Sequence, residues 1–141
     1  MKTLRRRKAQ SDCPINIALE ALGDAWSLLI VRDLMFKGRE TFKAFLEAEE
    51  GIASNVLADR LQKLEVLNII SKRVDMDDAR RNVYRLTEMG IGLAPMLVEM
   101  VLWSAKYFKT GAPSEVLEQM TLNRKQFLKQ VRKNWENAEK G

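Results

Sequence analysis

The sequence predicts a mainly α-helical fold carrying one small β-hairpin. Three observations carry that expectation. Across Gly51 to Ile70, GIASNVLADRLQKLEVLNII, the leucines Leu57, Leu61, Leu64 and Leu67 recur at steps of four, three and three, which is one face of a helix. A shorter helical pattern over 41–48 precedes it, with a turn that includes Gly51 between the two. After Asn68 the period drops to two, so that Ile70 to Val74 and Asn82 to Thr87 read as strands around the Asp-rich turn DMDDAR. Helix, turn, helix and hairpin in that order make a winged helix-turn-helix, with the hairpin as the wing. Long apolar helices follow, and the fold class is completed by assigning them to dimerisation.

The 141 residues suffice for one domain with a sizeable core, and 46% hydrophobic content is that of a globular chain. The expected layout is a basic disordered arm at 1–12, the winged domain at 13–110, and a C-terminal amphipathic helix at 111–141 belonging to the same unit. Net charge is +5, and Lys2, Arg5, Arg6, Arg7 and Lys8 supply that +5 within the first ten residues, so the rest sums to zero. A basic arm on a neutral body suits an anionic polymer, because each phosphate contact releases counterions; a solubilising tail is the equal alternative. MKTLRRRKAQ is followed by no apolar h-region, and no apolar run of about 18 residues is evident, so neither secretion nor a membrane is expected. The lone Cys13 excludes a disulfide framework and points to the cytoplasm. With no histidine, the Ser/His and Cys/His nucleophilic arrangements are absent, and no metal site, cofactor or enzymatic activity is expected.

Taken in order, Pro14 suits the first turn of a helix whose face is Ile15, Ala18, Leu19 and Leu22, ended by Gly23. Asp24 caps a second helix running to about Phe36, with Trp26, Leu29, Ile30, Asp33 and Leu34 at helical spacing. Lys37-Gly38-Arg39 is a turn. Glu40-Thr41 forms a very short strand or leads into the third helix, which Thr41 caps and which buries Phe42, Phe45 and Leu46. The next helix starts at Ala53 or Ser54, with Ser54 the better cap by chemistry. Asn68 sits where its C-terminus wants a left-handed residue.

Thr87 caps a helix over 88–109 whose start is loosened by Gly90, Gly92 and Pro95. From Leu93 onward this helix is apolar on more than one side. A partner helix is therefore implied, most simply from a second copy, with Met96, Met100, Trp103 and Tyr107 at the dimer face. Burial under the C-terminal segment is the alternative, as is a small-molecule pocket lined by Met96, Met100 and Trp103. Ser114 caps a last helix to about residue 138, with Leu117, Met120, Phe127, Val131 and Trp135 as its stripe.

CPINIALEALGDAW, then GIASNVLADRLQKLE, then DDARRNVYRLTEMG, in this order, resemble the HxlR-type winged-helix transcription regulators, relatives of MarR. The resemblance covers about residues 13–108. It implies cytoplasmic bacterial regulators that bind operator DNA as homodimers, with the recognition helix at 53–67 and the wing at 75–82. It also implies a Cys-Pro at the start of the first helix, matched by Cys13-Pro14; in some members that cysteine senses oxidants or electrophiles. Two departures stand out: Ala53 where many members have Ser, and Asn68 where many have Gly.

The expected function is a sequence-specific DNA-binding regulator that acts as a homodimer on a palindromic double-stranded operator. Ser54, Asn55 and Lys63 are the expected base-facing residues, with Arg60 at the phosphate edge and Arg80 and Arg81 on the wing. Cys13 is a candidate thiol switch answering an oxidant or small-molecule effector, against the alternative of a small buried hydrophobe. A winged-helix adaptor that binds protein without DNA is the competing function, supported by the neutral body.

Overall fold

A computed structural model describes residues 11–140. Nearly all of the predicted arm thus lies outside the described residues. The chain forms two compact units that divide between Thr87 and Glu88. The helix expected over 88–109 therefore groups with the C-terminal helices, not with the hairpin that precedes it.

The first unit opens with α1 (Pro14–Leu22), Pro14 in its first turn and Gly23 at its end. Its apolar face does not become core as a whole: Leu22 is buried, whereas Ile15 and Leu19 are 71% and 59% exposed. The Asp24 carboxylate accepts from the backbone N–H groups of Trp26 (2.8 Å) and Ser27 (2.9 Å), but Trp26, not Asp24, occupies the cap position of the next helix. That helix, α2 (Ser27–Arg32), does not stay α-helical to Phe36. Its last turn, Asp33–Lys37, widens into a π-helix. Gly38 closes it at φ +64°, a conformation that costs glycine little, and Arg39 N–H reaches back to the Asp33 carbonyl (3.1 Å). Apolar spacing alone does not separate these two hydrogen-bonding patterns.

Glu40 forms no strand, but its carbonyl accepts from Tyr84 N–H (2.8 Å). Thr41 caps α3 (Phe42–Leu46) through Ala44 N–H at 3.2 Å. Gly51, at φ +68°, turns the chain into α4 (Ser54–Val66). Asn68 takes the left-handed conformation at φ +64°, and Ile69 N–H closes the motif on the Leu64 carbonyl at 2.9 Å. The strands β1 (Ile70–Val74) and β2 (Asn82–Leu86) pair antiparallel, Ile70 opposite Leu86 and Lys72 opposite Tyr84. Leu57, Leu61 and Leu64 on one side of α4 join Ile30, Val31, Phe45, Ile69, Ile70, Tyr84 and Leu86 in the core. Burying each large side chain contributes roughly 1.5–3 kcal/mol.

In the second unit the helix predicted over 88–109 is two: α5 (Glu88–Ile91) and α6 (Ala94–Tyr107), parted at Gly92 and Leu93. Pro95 falls in the first turn of α6, where its missing N–H costs nothing. The Thr87 hydroxyl lies 2.6 Å from the Asn68 carbonyl, tying the hairpin's base together. End to end, Glu88–Tyr107 is long and apolar enough by composition to cross a membrane, contrary to expectation; the turn at Gly92 breaks the run and Glu99 interrupts its apolar surface. The helix predicted over 114–138 is also two, α7 (Ser114–Leu122) and α8 (Arg124–Lys140). Asn123 separates them, its carbonyl accepting from Phe127 N–H (2.9 Å), in the way a favoured N-cap residue starts a helix. Pro113, not Ser114, occupies the cap position of α7. Met120 and Val131 are buried, and Leu117, Phe127 and Trp135 half-buried, so the predicted stripe does face inward.

Candidate nucleic-acid interface

Helix α4 has two unlike sides. Its leucines are buried, while Ser54, Asn55, Ala58, Asp59 and Gln62 are exposed. Short polar and small side chains on an apolar-backed helix let the backbone approach a groove and let donors and acceptors reach base edges. The helix begins one residue earlier than cap chemistry predicts. Ala53 is the cap, its carbonyl accepting from Leu57 N–H (2.9 Å), and Ser54 is already in the first turn. The N-terminal N–H groups thus carry no side-chain cap, and the positive end of the helix dipole stays open to an anion.

The two cations of α4 are placed differently from the short residues. Arg60 Nε lies 3.1 Å from Asp24 Oδ1 and Lys63 Nζ lies 3.4 Å from Asp24 Oδ2. Asp24 also accepts from the Ser27 hydroxyl at 2.5 Å. Burial alone raises the Asp24 carboxyl, but the hydrogen bonds from the Ser27 side chain, from the Trp26 and Ser27 N–H groups and from Arg60 outweigh it and hold the group well below the usual carboxylate range. Sequence reasoning gave Asp24 a capping role and did not see its second role, which joins positions 36 and 39 residues apart.

A second ionic cluster holds the turn between α3 and α4. Asp33, only 3% exposed, accepts from Arg32 (2.8 Å) and Arg39 (2.9 Å). Arg32 also donates to Glu50 (2.6 Å), and that hydrogen bond lowers the Glu50 carboxyl to about 2. The signal for this cluster was an acid inside an apolar stripe: Asp33 shares helical spacing with Ile30 and Leu34.

The wing tip is self-paired. Arg81 Nε donates to Asp75 (2.7 Å) and Arg80 Nε to Asp78 (3.1 Å). The Arg80 side chain nevertheless remains 91% exposed and that of Arg81 52%. Exposed pairs of this kind are weak and yield readily to another anion.

Cys13 is exposed at the start of α1, not buried. Of the predicted dimer residues, Met96 is half-buried, while Met100, Trp103 and Tyr107 are 48%, 60% and 62% exposed. Trp103 gathers Tyr107 and Phe108 around it, each ring centroid 5.8 Å away. The opposite side of α6, Ala94, Leu97 and Val98, is buried. The first unit has a crevice of about 10 Å³ beside Trp26, Phe45 and Leu57, room for a water and not for an organic effector.

Residues 21–112 match the model of the HxlR-like helix-turn-helix family. The HTH-type transcriptional regulator YodB of Bacillus subtilis is 33% identical over 100 residues, covering 70% of this chain and 88% of that protein. Three solved structures share the fold: PA1607, a candidate transcription factor (TM-score 0.64, 37% identity, 74% of this chain and 72% of that one); the reduced form of YodB (0.57, 32%, 71% and 98%); and the redox regulator HypR in its oxidised form (0.61, 25%, 70% and 100%). YodB has also been solved diamide-treated and quinone-bound. The chain belongs to the HxlR-like helix-turn-helix family and is a DNA-binding transcriptional regulator of the winged-helix class.

Proposed function

We propose that the protein acts in the bacterial cytoplasm as a homodimer on a two-fold symmetric operator. Each subunit lays α4 in a major groove, where Ser54 and Asn55 read base edges. Arg60 and Lys63 form the charged shoulder of that helix, and Arg80 and Arg81 hold the wing on the backbone or in the minor groove. The observation that carries this reading is the exposed face of short side chains on α4 against its buried leucine back. Dimerisation is supported by two uncovered apolar faces, Ile15–Leu19 on α1 and Met100–Trp103–Tyr107–Phe108 on α6.

A mobility shift on the protein's own upstream DNA at two salt concentrations tests it. Arg81→Ala weakens binding to all sequences and flattens the log–log salt dependence by about two units, one for each subunit of the dimer. An unchanged slope removes Arg81 from the phosphate contacts. Absence of any shift at low salt favours a protein-binding adaptor.

Cys13 is the switch in this reading. Its exposure at the head of α1, beside the uncovered Ile15 and Leu19, fits a thiol whose modification alters how two copies meet. The diamide-treated and quinone-bound forms of YodB supply the effector chemistry. With one cysteine per chain, diamide joins Cys13 to a second copy or to a small thiol, being reduced to the hydrazine as the S–S bond forms; a quinone adds directly, forming an S–C bond. Either treatment changes operator affinity in the natural chain and leaves Cys13→Ser unaffected. An equal response in both chains sinks the switch.

A further inference from the structure

Helix α4 contains two cations, Arg60 and Lys63, and both lie on one carboxylate. They are three residues apart, hence on the same side of the helix, and they approach opposite oxygens of Asp24. That carboxylate is itself fixed. Its oxygens take the Trp26 and Ser27 N–H groups and the hydroxyl of Ser27, a residue with no exposed surface. It therefore holds Arg60 and Lys63 to the turn between α1 and α2 and is not free to swing out with them. The side chains of Asp24, Arg60 and Lys63 are 20%, 27% and 35% exposed, which sets the trio apart from the open pair of Arg80 and Asp78. Partly buried charges are less screened by water and salt than exposed ones. Arg60 has a further acid at hand in Asp59 (2.5 Å).

Charge on a recognition helix has a general consequence. Every lysine or arginine free to meet phosphate strengthens binding to all sequences alike, through counterion release. Discrimination comes from base-edge contacts. A helix that reads sequence with short side chains gains specificity when its cations are held back from the backbone.

We propose that Asp24 is a specificity-determining residue, which restrains Arg60 and Lys63 from indiscriminate phosphate contact and fixes the rotation of α4 so that Ser54 and Asn55 face the groove. This rests on α4 being the helix that enters the groove. Asp24 acts through the two cations and is a positioning residue.

The test uses Asp24→Asn in the full chain, which keeps an acceptor oxygen for the N–H groups and removes the charge. Affinities for a duplex carrying the footprinted site and for a scrambled duplex are measured across a salt series. The variant is expected to bind the scrambled duplex more tightly, with a log–log slope steeper by about two to four units, since each of the two subunits frees two cations, and to lose roughly tenfold in the ratio between the two duplexes. The ratio is taken on one sample, so a partly unfolded preparation does not distort it. The pair Arg60→Gln and Lys63→Gln is made in both backgrounds. It changes the slope by less than about one unit with Asp24 present, and cancels the whole increase when Asp24 is replaced. Should Asp24→Asn fail to fold, the first of these arms decides alone. An unchanged ratio and slope in Asp24→Asn overturns the proposal, as does a fall of about two to four units for the Gln pair beside an intact Asp24. A natural chain that binds no duplex at low salt overturns the groove-reading helix instead.

Discussion

Phe45→Ala lowers the free energy of unfolding by about 3–5 kcal/mol. Phe45 is 1% exposed in the centre of the first unit, on the short helix α3. Its ring meets that of Tyr84, centroids 5.9 Å apart, so that one side chain joins the helix-turn-helix to the second strand of the wing. Truncation removes the transferred apolar surface and leaves a cavity that α3, only five residues long, is poorly placed to fill by itself. Small domains hold about 5–15 kcal/mol in total, so the variant loses a large share of its stability. A urea titration reads the effect as a lower midpoint at unchanged slope. Phe45→Leu, which keeps most of the volume, is expected to lose less than half as much. Equal losses for the two substitutions remove cavity formation as the cause.

Trp103→Glu is expected to separate the proposed dimer. The indole is 60% exposed and sits among Tyr107 and Phe108 on the side of α6 opposite its buried residues. Large aromatic side chains at the centre of an interface typically contribute at least about 2 kcal/mol, and a carboxylate in their place adds a desolvation cost. Dimerisation therefore weakens by roughly 30- to 1,000-fold, taking about 2–4 kcal/mol as the loss. Sedimentation equilibrium reads it directly. Operator affinity falls with it, because two half-sites are no longer engaged together. Monomer stability is expected to hold, since the substituted side chain is exposed. A mutant that stays dimeric places the interface elsewhere, with Ile15 and Leu19 on α1 the next face to test.

Much of this arrangement follows from local rules. The leucine spacing of α4, the Thr41 cap, the left-handed Asn68 and the two strands each depend on residues a few positions apart, and each has the predicted form. The features that escape the sequence depend on distant partners or on small differences in backbone geometry. The widened turn Asp33–Lys37 and the break at Asn123 alter hydrogen bonding without altering the apolar period. Ile15 and Leu19 have the spacing of a core face, and only the fold places them outside. On α4, Ser54 and Asn55 are exposed on the side away from the leucines, where the proposed reading needs them. Arg60 and Lys63 fall on Asp24, an acid whose bonds to the start of α2 were visible and whose reach across to α4 was not.

Footprinting of the natural chain on its own upstream DNA decides whether α4 reads a symmetric operator. Two copies of α4 related by a two-fold axis protect two inverted half-sites, their centres about one helical turn, roughly 34–36 Å or a multiple of it, apart. Asn55→Ala is expected to blur protection at matching positions in both halves. A single asymmetric footprint, or no protection at low salt, rules out the symmetric groove-reading dimer.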